Sequence, residues 1–134
     1  MSAEKAEELN IKPIARILSQ SSAAQAPEWF TTAPIKAMKK AISISGVDIN
    51  DIDLFEINEA FSVVPMAAMK DLNIDSEKVN IYGGGVSLGH PIGASGARIM
   101  CTLLNAMNKQ DVKLGLASLC IGGGEASAMI VEKI

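Results

Sequence analysis

The chain has 134 residues, of which 49% are hydrophobic and 20% are charged, and this balance is typical of a globular domain large enough to bury a core. A formal net charge of −3 and a pI near 5.1 provide no basic surface, so we expect no nucleic-acid partner. No apolar run approaches the roughly 18 residues that suggest a membrane span, and the charged segment 1–9 lacks the apolar core of a signal peptide. Two cysteines cannot form a disulfide framework, so we expect a cytoplasmic protein in a reducing compartment.

The apolar pattern and the turn residues predict alternating strands and helices along the chain. Ser2 suits the cap of a first helix, Pro34 suits the start of a second helix, and Gly46 suits its end. Pro65 lies inside a third predicted helix and should kink it or delay its start. The predicted elements are, in chain order, a helix over 2–9, a strand over 13–19, a loop over 21–32, a helix over 34–46, a strand over 54–57, a helix over 59–72, a strand over 79–82, a helix over 94–108, and strands over 114–120 and 126–132. This order predicts one layered α/β domain.

Glycine is concentrated in the second half of the chain, around the one histidine. Ten of the eleven glycines lie between Gly83 and Gly124, which is typical of loops that need a positive φ or a close backbone approach to a ligand. His90 lies at the centre of the glycine-rich segment 83–98, where a neutral imidazole can accept or donate a proton near pH 7. The glycine spacing fits neither a dinucleotide-binding loop nor a Walker loop. The alternative is a structural loop that carries a surface histidine.

Two cysteines and an asparagine are the remaining candidates for chemistry. Cys120 ends a buried strand just before three glycines, where backbone N–H dipoles can favour a thiolate or hold an oxyanion, although a small core residue is the commoner use of such a thiol. Asn58 stands between a strand and a helix and could equally cap that helix. Cys101 lies mid-helix among apolar residues, so we expect a core thiol. One histidine and two cysteines without a C-x-x-C pair predict no metal site.

Three segments closely resemble signatures of the thiolase family, in the same order and at a similar separation. They are Asn-Glu-Ala-Phe at 58–61, Gly-His-Pro-Ile-Gly-Ala-Ser-Gly-Ala-Arg at 89–98, and Cys-Ile-Gly-Gly-Gly at 120–124. The resemblance extends through the flanking sequence from about residue 2 to the C-terminus. It implies a thiolase-type layered α/β fold, in which a mixed sheet is covered by helices. Residues 1–134 would then be a thiolase C-terminal domain that is incomplete on its N-terminal side and lacks its first strand.

The resemblance also implies a role for each matched residue. The histidine of the second segment activates a nucleophilic cysteine in thiolases and lines an oxyanion hole, which assigns His90, and Asn58 would hold a water in the same hole. The cysteine of the third segment moves a proton on and off the thioester α-carbon, which assigns Cys120. The backbone N–H of Gly122 would contribute to a second oxyanion hole. The family reaction is a reversible Claisen condensation of acyl-CoA thioesters through an acyl-cysteine, so coenzyme A is a substrate or product and no cofactor is expected.

The nucleophilic cysteine and the CoA-binding loop region lie in the N-terminal part of a full thiolase, and this chain contains neither. We therefore expect it to act on acyl-CoA only with a thiolase N-terminal half or subunit, in a homo-oligomer of the full enzyme, and to be inactive alone. Segments 86–93 and 125–129 look more like acetoacetyl-CoA thiolases than like the long-chain degradative enzymes. One alternative is a non-catalytic module for assembly or acyl-CoA binding. A weaker one is a ketoacyl synthase, which shares the fold but generally pairs its cysteine with different histidine segments.

Overall fold

The computed structural model describes all 134 residues, which form five helices and four strands. The helices are α1 (Ala3–Glu8), α2 (Ala33–Ser45), α3 (Val63–Leu72), α4 (Gly85–Leu88) and α5 (Ser95–Gln110), and the strands are β1 (Ala15–Ala24), β2 (Leu54–Ile57), β3 (Leu114–Ile121) and β4 (Glu125–Lys133). Short turns of 3₁₀ helix cover Pro27–Thr32, Ile49–Asp51 and Ser76–Lys78. No helix is long and apolar enough to cross a membrane.

The four strands form one mixed sheet in the order β1-β4-β3-β2. Strands β3 and β4 form an antiparallel hairpin around the turn 122–124, and β1 lies antiparallel on the far side of β4. Strand β2 runs parallel to β3, with Leu54 opposite Gly115 and Ile57 opposite Ser118. A mixed sheet with helices on it confirms the α/β prediction, and the parallel pair sets the carboxyl ends of β2 and β3 side by side.

Helices cover both faces of the sheet and define two apolar clusters. On one face α2 and α3 pack through small residues such as Ala37 and Ala41, together with Met38 and Val64, onto strand residues that include Phe55. On the other face α5 packs through Ile99, Leu103 and Met107 onto Leu54 and Val131. Successive residues of β2 therefore serve opposite faces, as a strand requires.

Three sequence predictions about elements need correction or refinement. Strand β1 continues through Ala24, so the predicted loop over 21–32 is wrong in its first part, because β4 pairs with the chain as far as Ala24. The predicted strand over 79–82 is wrong, because only Val79 bridges to Phe55 and Asn80 then turns to a left-handed φ of 50°. Helix α3 begins at Val63 rather than at residue 59, which is the later start that Pro65 predicts, since a proline fits only the first turn.

The prediction that Cys101 is a core thiol is wrong, because its side chain is exposed. Helix α5 buries Ile99, Leu103 and Ala106, which share one face. Cys101 is two residues beyond Ile99 and hence about 200° around the helix, on the opposite face. Apolar neighbours in sequence misled the prediction, since residues i and i+2 of a helix do not share a face.

Candidate active site

The candidate residues collect at the carboxyl edge of the sheet, where β2 and β3 end side by side. Asn58 follows β2 directly, and its N–H donates to the carbonyl of Ser118 at 2.9 Å, so the β2–β3 ladder continues one residue past Ile57. Cys120 lies two residues beyond Ser118 on β3. The loop that holds His90 leads into the start of α5. The fold therefore gathers all three sequence motifs at one edge, where open α/β sheets commonly bind ligands.

Asn58 and His90 lie side by side, and Ser95 holds the imidazole from behind. The Asn58 Nδ2 atom is 3.5 Å from His90 Nδ1, and Ser95 Oγ is 2.5 Å from the same ring nitrogen. The Ser95 hydroxyl also donates to the carbonyl oxygen of Pro91 at 3.1 Å. Because that hydroxyl has one proton, we assign the Nδ1 proton to His90, which donates to Ser95 Oγ. His90 Nε2 is then unprotonated and can accept a proton on the exposed side of the ring.

Arg98 sets the orientation of the Asn58 side-chain amide. Its Nη2 donates to Asn58 Oδ1 at 3.3 Å, and Asn58 is fully buried. A guanidinium offers only donors, so the amide oxygen must face Arg98 and the amide nitrogen must face His90. Asn58 is therefore not a helix cap, because α3 begins only at Val63 and Ser62 precedes it.

A buried carboxylate lies behind Arg98. Glu56 is only 2% exposed, and its Oε2 atom is 3.7 Å from Arg98 Nη1. Burial raises the pKa of the Glu56 carboxyl to about 7, the Arg98 guanidinium opposes that rise, and the negative charge of Glu59 adds to it. Glu56, Asn58, His90, Ser95 and Arg98 together are called the His90 cluster below.

Sequence reasoning missed the contributions of Glu56, Ser95 and Arg98. One signal was present for Glu56, since it is the charged residue in a four-residue strand whose other members are all buried and apolar. A charge in such a strand needs a partner. The sequence did not show which residue that partner is.

Glu59 anchors the glycine loop to the end of β2. Its carboxylate accepts from Asn80 Nδ2 at 3.0 Å and from the backbone N–H of Val86 at 2.9 Å. A Cβ on Gly84 would lie 2.5 Å from Glu59 Oε2, and one on Gly85 would lie 2.9 Å from the Glu59 carbonyl oxygen. Glycine is thus required at these two positions by close packing on Glu59, although neither has a positive φ.

The Cys120 side chain is more buried than that of His90 and makes fewer hydrogen bonds. It is 7% exposed and packs in the cluster formed by α2 and α3. Burial raises the pKa of the Cys120 thiol, and the backbone hydrogen bond that favours the thiolate only partly opposes this. Desolvation thus outweighs the backbone dipoles of the glycine turn, the thiol is neutral near pH 7, and Cys120 packs as a small core residue does.

The turn after Cys120 is shaped by its glycines. Gly123 and Gly124 have φ values of 106° and 94°, and a Cβ on Gly124 would collide with the Gln25 carbonyl oxygen. The Gln25 N–H donates to the Gly124 carbonyl at 3.0 Å, which ties the turn to the end of β1. Gly122 faces open space. Residues 120–124 are called the Cys120 turn below, and no side-chain hydrogen bond joins it to the His90 cluster.

The groups at the sheet edge are suited to proton transfer. No group of three or more His, Cys, Asp or Glu side chains lies together as metal ligands. Near the sheet edge the available groups are the exposed imidazole of His90, the amide of Asn58 and the neutral thiol of Cys120. These are general acid–base and hydrogen-bonding groups.

Comparison with known proteins identifies the family. The thiolase C-terminal domain model matches residues 11–133, so the chain belongs to the thiolase family and corresponds to its C-terminal domain. It is 50% identical to an acetyl-CoA acetyltransferase of Schizosaccharomyces pombe over all of this chain and 34% of that protein. The chain therefore spans about a third of the length of such relatives.

Two solved structures support the same conclusion. The acetyl-CoA acetyltransferase of Bacillus anthracis superposes with a TM-score of 0.96 at 42% identity, over 100% of this chain and 34% of that one. The Acat5 thiolase of Ascaris suum, solved in complex with coenzyme A, superposes with a TM-score of 0.92 at 49% identity, over 99% of this chain and 34% of that one. The fold is thus the C-terminal part of the thiolase fold.

Proposed function

We propose that this chain supplies the acid–base half of an acetyl-CoA acetyltransferase active site. The observation that carries the proposal is the meeting of Asn58, His90 and the end of β3 at one sheet edge, in a chain that belongs to the thiolase family. The reaction would be the reversible Claisen condensation of two acetyl-CoA molecules to acetoacetyl-CoA and coenzyme A. Coenzyme A would be a substrate or product rather than a cofactor.

In the acylation step His90 would act through Nε2. A cysteine of an N-terminal thiolase half would lose its proton to this nitrogen and attack the thioester carbonyl. The C–S bond to coenzyme A would then break, the leaving thiolate would take the proton held by His90, and an acyl-cysteine would remain. Asn58, next to the ring, would hold a water that donates to the carbonyl oxygen as it becomes negative. Such oxyanion donors are each worth about 3–4 kcal/mol of transition-state stabilisation.

In the condensation step Cys120 would act as the base. The Cys120 thiol would first give up its proton to solvent, and the thiolate would then take an α-proton from a second acetyl-CoA. The resulting carbanion would attack the acyl-cysteine and form acetoacetyl-CoA, and the cysteine thiolate that is released would take a proton from solvent and so regenerate the nucleophile. Because burial raises the pKa of the Cys120 thiol, its thiolate is a stronger base than that of an exposed cysteine. The backbone N–H of Gly122 would stabilise the enolate oxygen.

Neither cysteine of this chain suits the nucleophilic role. Cys120 is buried and its thiol is neutral. Cys101 lies six residues beyond Ser95 in α5, which is about 9 Å along the helix from the end that meets His90. It lines a groove of about 700 Å³ with Lys12 and Lys133, and Lys133 is at the opposite end of β4 from the Cys120 turn. The nucleophile would therefore come from an N-terminal thiolase half, and the chain alone would be inactive.

The test is to mix the chain with the N-terminal half of a homologous thiolase and to assay CoA-dependent cleavage of acetoacetyl-CoA by its absorbance. We expect activity with both parts and none with either part alone. His90→Ala should abolish it, whereas Lys36→Ala, a change at an exposed residue of α2, should leave it unchanged. Full activity of a folded His90→Ala mixture would contradict the assignment of roles.

A second candidate function is a non-catalytic module that assembles with other chains or binds acyl-CoA. It is favoured by large exposed apolar side chains near the site, since Trp29, Phe61 and Met66 are each about 60% exposed. Patches of this kind mark binding surfaces. Calorimetry of the chain alone with coenzyme A and with acetyl-CoA separates the candidates, because tight binding without any activity in the mixture favours the module.

We further propose that the complete assembly is a homo-oligomer that works in the cytoplasm. The two cysteines of this chain are unpaired, with Cys101 exposed, and a reducing compartment preserves an exposed thiol. Size-exclusion chromatography of the mixture with light-scattering detection tests the oligomer. A mass of one N-terminal half plus one chain would contradict it.

A further inference from the structure

Two buried side chains of opposite charge lie behind Asn58, and the proposed acid–base steps use neither. Glu56 Oε2 and the Nε and Nη1 atoms of Arg98 are buried without a hydrogen-bond partner. The two groups face each other at 3.7 Å, which is longer than a hydrogen bond. A buried ion pair with poor geometry contributes little net stability and is often no better than an apolar pair. Stability therefore does not account for these two residues.

The positions of Glu56 and Arg98 indicate which part of the site they control. Glu56 lies on β2, Arg98 lies on α5, and Asn58 lies on the loop after β2, so the guanidinium links a helix to the site loop. The amide oxygen and nitrogen of an asparagine have nearly the same shape, so sterics alone do not choose between its two orientations. In Asn58 the donor from Arg98 makes that choice.

The consequence reaches His90. If the amide turned over, its NH₂ group would face the donors of Arg98, and its oxygen would face His90 Nδ1. That oxygen would compete with Ser95 Oγ for the Nδ1 proton or turn the ring. The base nitrogen Nε2 would then lose its fixed direction.

We propose that Arg98 is a positioning residue that fixes the Asn58 amide with its nitrogen toward His90, and that the buried Glu56 carboxylate holds Arg98 in place. The kinetic part of the test below rests on the proposed function. The spectroscopic part does not, because it uses this chain alone. A failure of the proposed function can therefore be distinguished from a failure of this inference.

The spectroscopic test follows the ring nitrogens of His90 by NMR in the ¹⁵N-labelled chain. His90 is the one histidine, so its two ring signals need no further assignment. The unmodified chain should show the Nδ1–H tautomer. Arg98→Met should keep the Nδ1–H tautomer but shift the Nδ1 signal, because a turned Asn58 amide would present its oxygen as a second acceptor for that proton beside Ser95 Oγ. Arg98→Lys should restore part of the original signal, because lysine keeps one cationic donor.

A matched control removes another cation from the same helix. Lys109 lies near the far end of α5, with its ammonium 5.3 Å from the Tyr82 ring centroid, so Lys109→Met should leave the His90 signals unchanged. If Arg98→Met does not fold, the isosteric Glu56→Gln variant takes its place and, at pH 8, where the Glu56 carboxyl is ionised, should shift the signals in the same direction. A folded Arg98→Met or Glu56→Gln chain with unchanged His90 signals would overturn the proposal.

The kinetic test uses the chain mixed with an N-terminal thiolase half. Arg98→Met should lower kcat about tenfold or more and leave KM within about twofold, since Arg98 touches no substrate. The double variant Glu56→Gln/Arg98→Met should be no worse than Arg98→Met alone, because both residues act along one path. If the losses of kcat from the Glu56 and Arg98 variants were additive, or if only KM changed, the proposed coupling of Glu56 and Arg98 to Asn58 would be overturned. An unmodified mixture without activity would instead count against the proposed function, and the His90 spectra would still decide this inference.

Discussion

The two regions at the sheet edge, the His90 cluster and the Cys120 turn, are held in place by different means. In the His90 cluster, side chains fix side chains, as Arg98 does for Asn58 and Ser95 does for His90. In the Cys120 turn, the backbone and the absence of Cβ atoms fix the geometry, as at Gly124. The His90 cluster should therefore be sensitive to the loss of polar atoms, and the Cys120 turn to the addition of carbon atoms.

The two regions also differ in their exposure. His90 is exposed on its loop, whereas Cys120 is buried and its thiol pKa is raised. The proposed function assigns acylation to the first region and α-proton transfer to the second. Variants in the His90 cluster and in the Cys120 turn should therefore have different effects.

The largest effect should come from Cys120→Ala in the mixture with an N-terminal thiolase half. Acetoacetyl-CoA cleavage should fall about 10³-fold, because removal of a general base or acid costs about 10² to 10⁴. Acyl transfer to the cysteine of the N-terminal half should persist, since in the proposed mechanism it uses His90 and Asn58 rather than Cys120. Quenched-flow kinetics and deuterium exchange at the acetyl-CoA α-carbon measure the two steps separately. Loss of both steps in a folded Cys120→Ala mixture would contradict the assignment of acylation to the His90 cluster and of α-proton transfer to the Cys120 turn.

A smaller effect, on folding stability, should follow from Gly124→Ala. The new Cβ meets the Gln25 carbonyl at a residue whose φ is 94°, so the free energy of unfolding should fall by about 3 kcal/mol. Gly96→Ala is the control, because Gly96 lies in α5 with open space around it, and it should be neutral or slightly stabilising. Urea denaturation measures both, and equal effects of the two variants would show that the Cys120 turn is not held by the lack of a Cβ.

Glu56 should make the stability of the chain depend on pH. Its pKa is about 7 in the folded chain against an ordinary 4.5. The protonated Glu56 carboxyl therefore contributes its full stabilisation to the fold below pH 4.5, and this stabilisation is lost as the pH rises through about 7. The loss should be roughly 2–3 kcal/mol, because one pH unit of difference in pKa corresponds to about 1.4 kcal/mol. Urea denaturation at pH 5 and pH 8 should therefore show a smaller fall for Glu56→Gln than for the unmodified chain. Parallel pH dependences in the two chains would show that Glu56 is not the buried titrating group.

The smallest effect should come from Cys101→Ser, which should change the free energy of unfolding by less than about 0.5 kcal/mol, since the side chain is exposed. In the folded chain, Cys101 should react quickly with a thiol reagent such as dithionitrobenzoate, and Cys120 should react only after unfolding. Absorbance of the released thiol gives both rates. Two thiols that react at one rate would contradict the difference in burial.

The sequence was sufficient for most of the fold. Helices α2 and α5 have strong periodic patterns and clear end signals, so their bounds were predicted closely. The extension of β1 over 21–24 was missed, because serine and alanine resemble loop residues until β4 pairs with them, as Ser22 does with Ser127. The left-handed turn at Asn80, which ends the predicted strand over 79–82, is likewise made by tertiary contacts with Ile57.

For the site, the sequence indicated which residues to examine but not how they are held. The motif segments indicated Asn58, His90 and Cys120. The link from Glu56 through Arg98 to Asn58 joins residues far apart in the chain, and no periodic pattern encodes such a pairing. The direction of the pKa shift of Cys120 could not be predicted either, because the glycine motif shows the backbone dipoles but not the packing against α2 and α3 that raises this pKa.

The most direct test of the central claim is the site of acylation in the mixture of this chain with an N-terminal thiolase half. After incubation with acetyl-CoA and an acid quench, intact-mass measurement of each chain shows which one carries the acetyl group. We expect acetylation of the N-terminal half alone, dependent on His90 of this chain. An acetyl group on Cys120 or Cys101 would contradict it, and so would a folded, assembled mixture in which neither chain is acetylated.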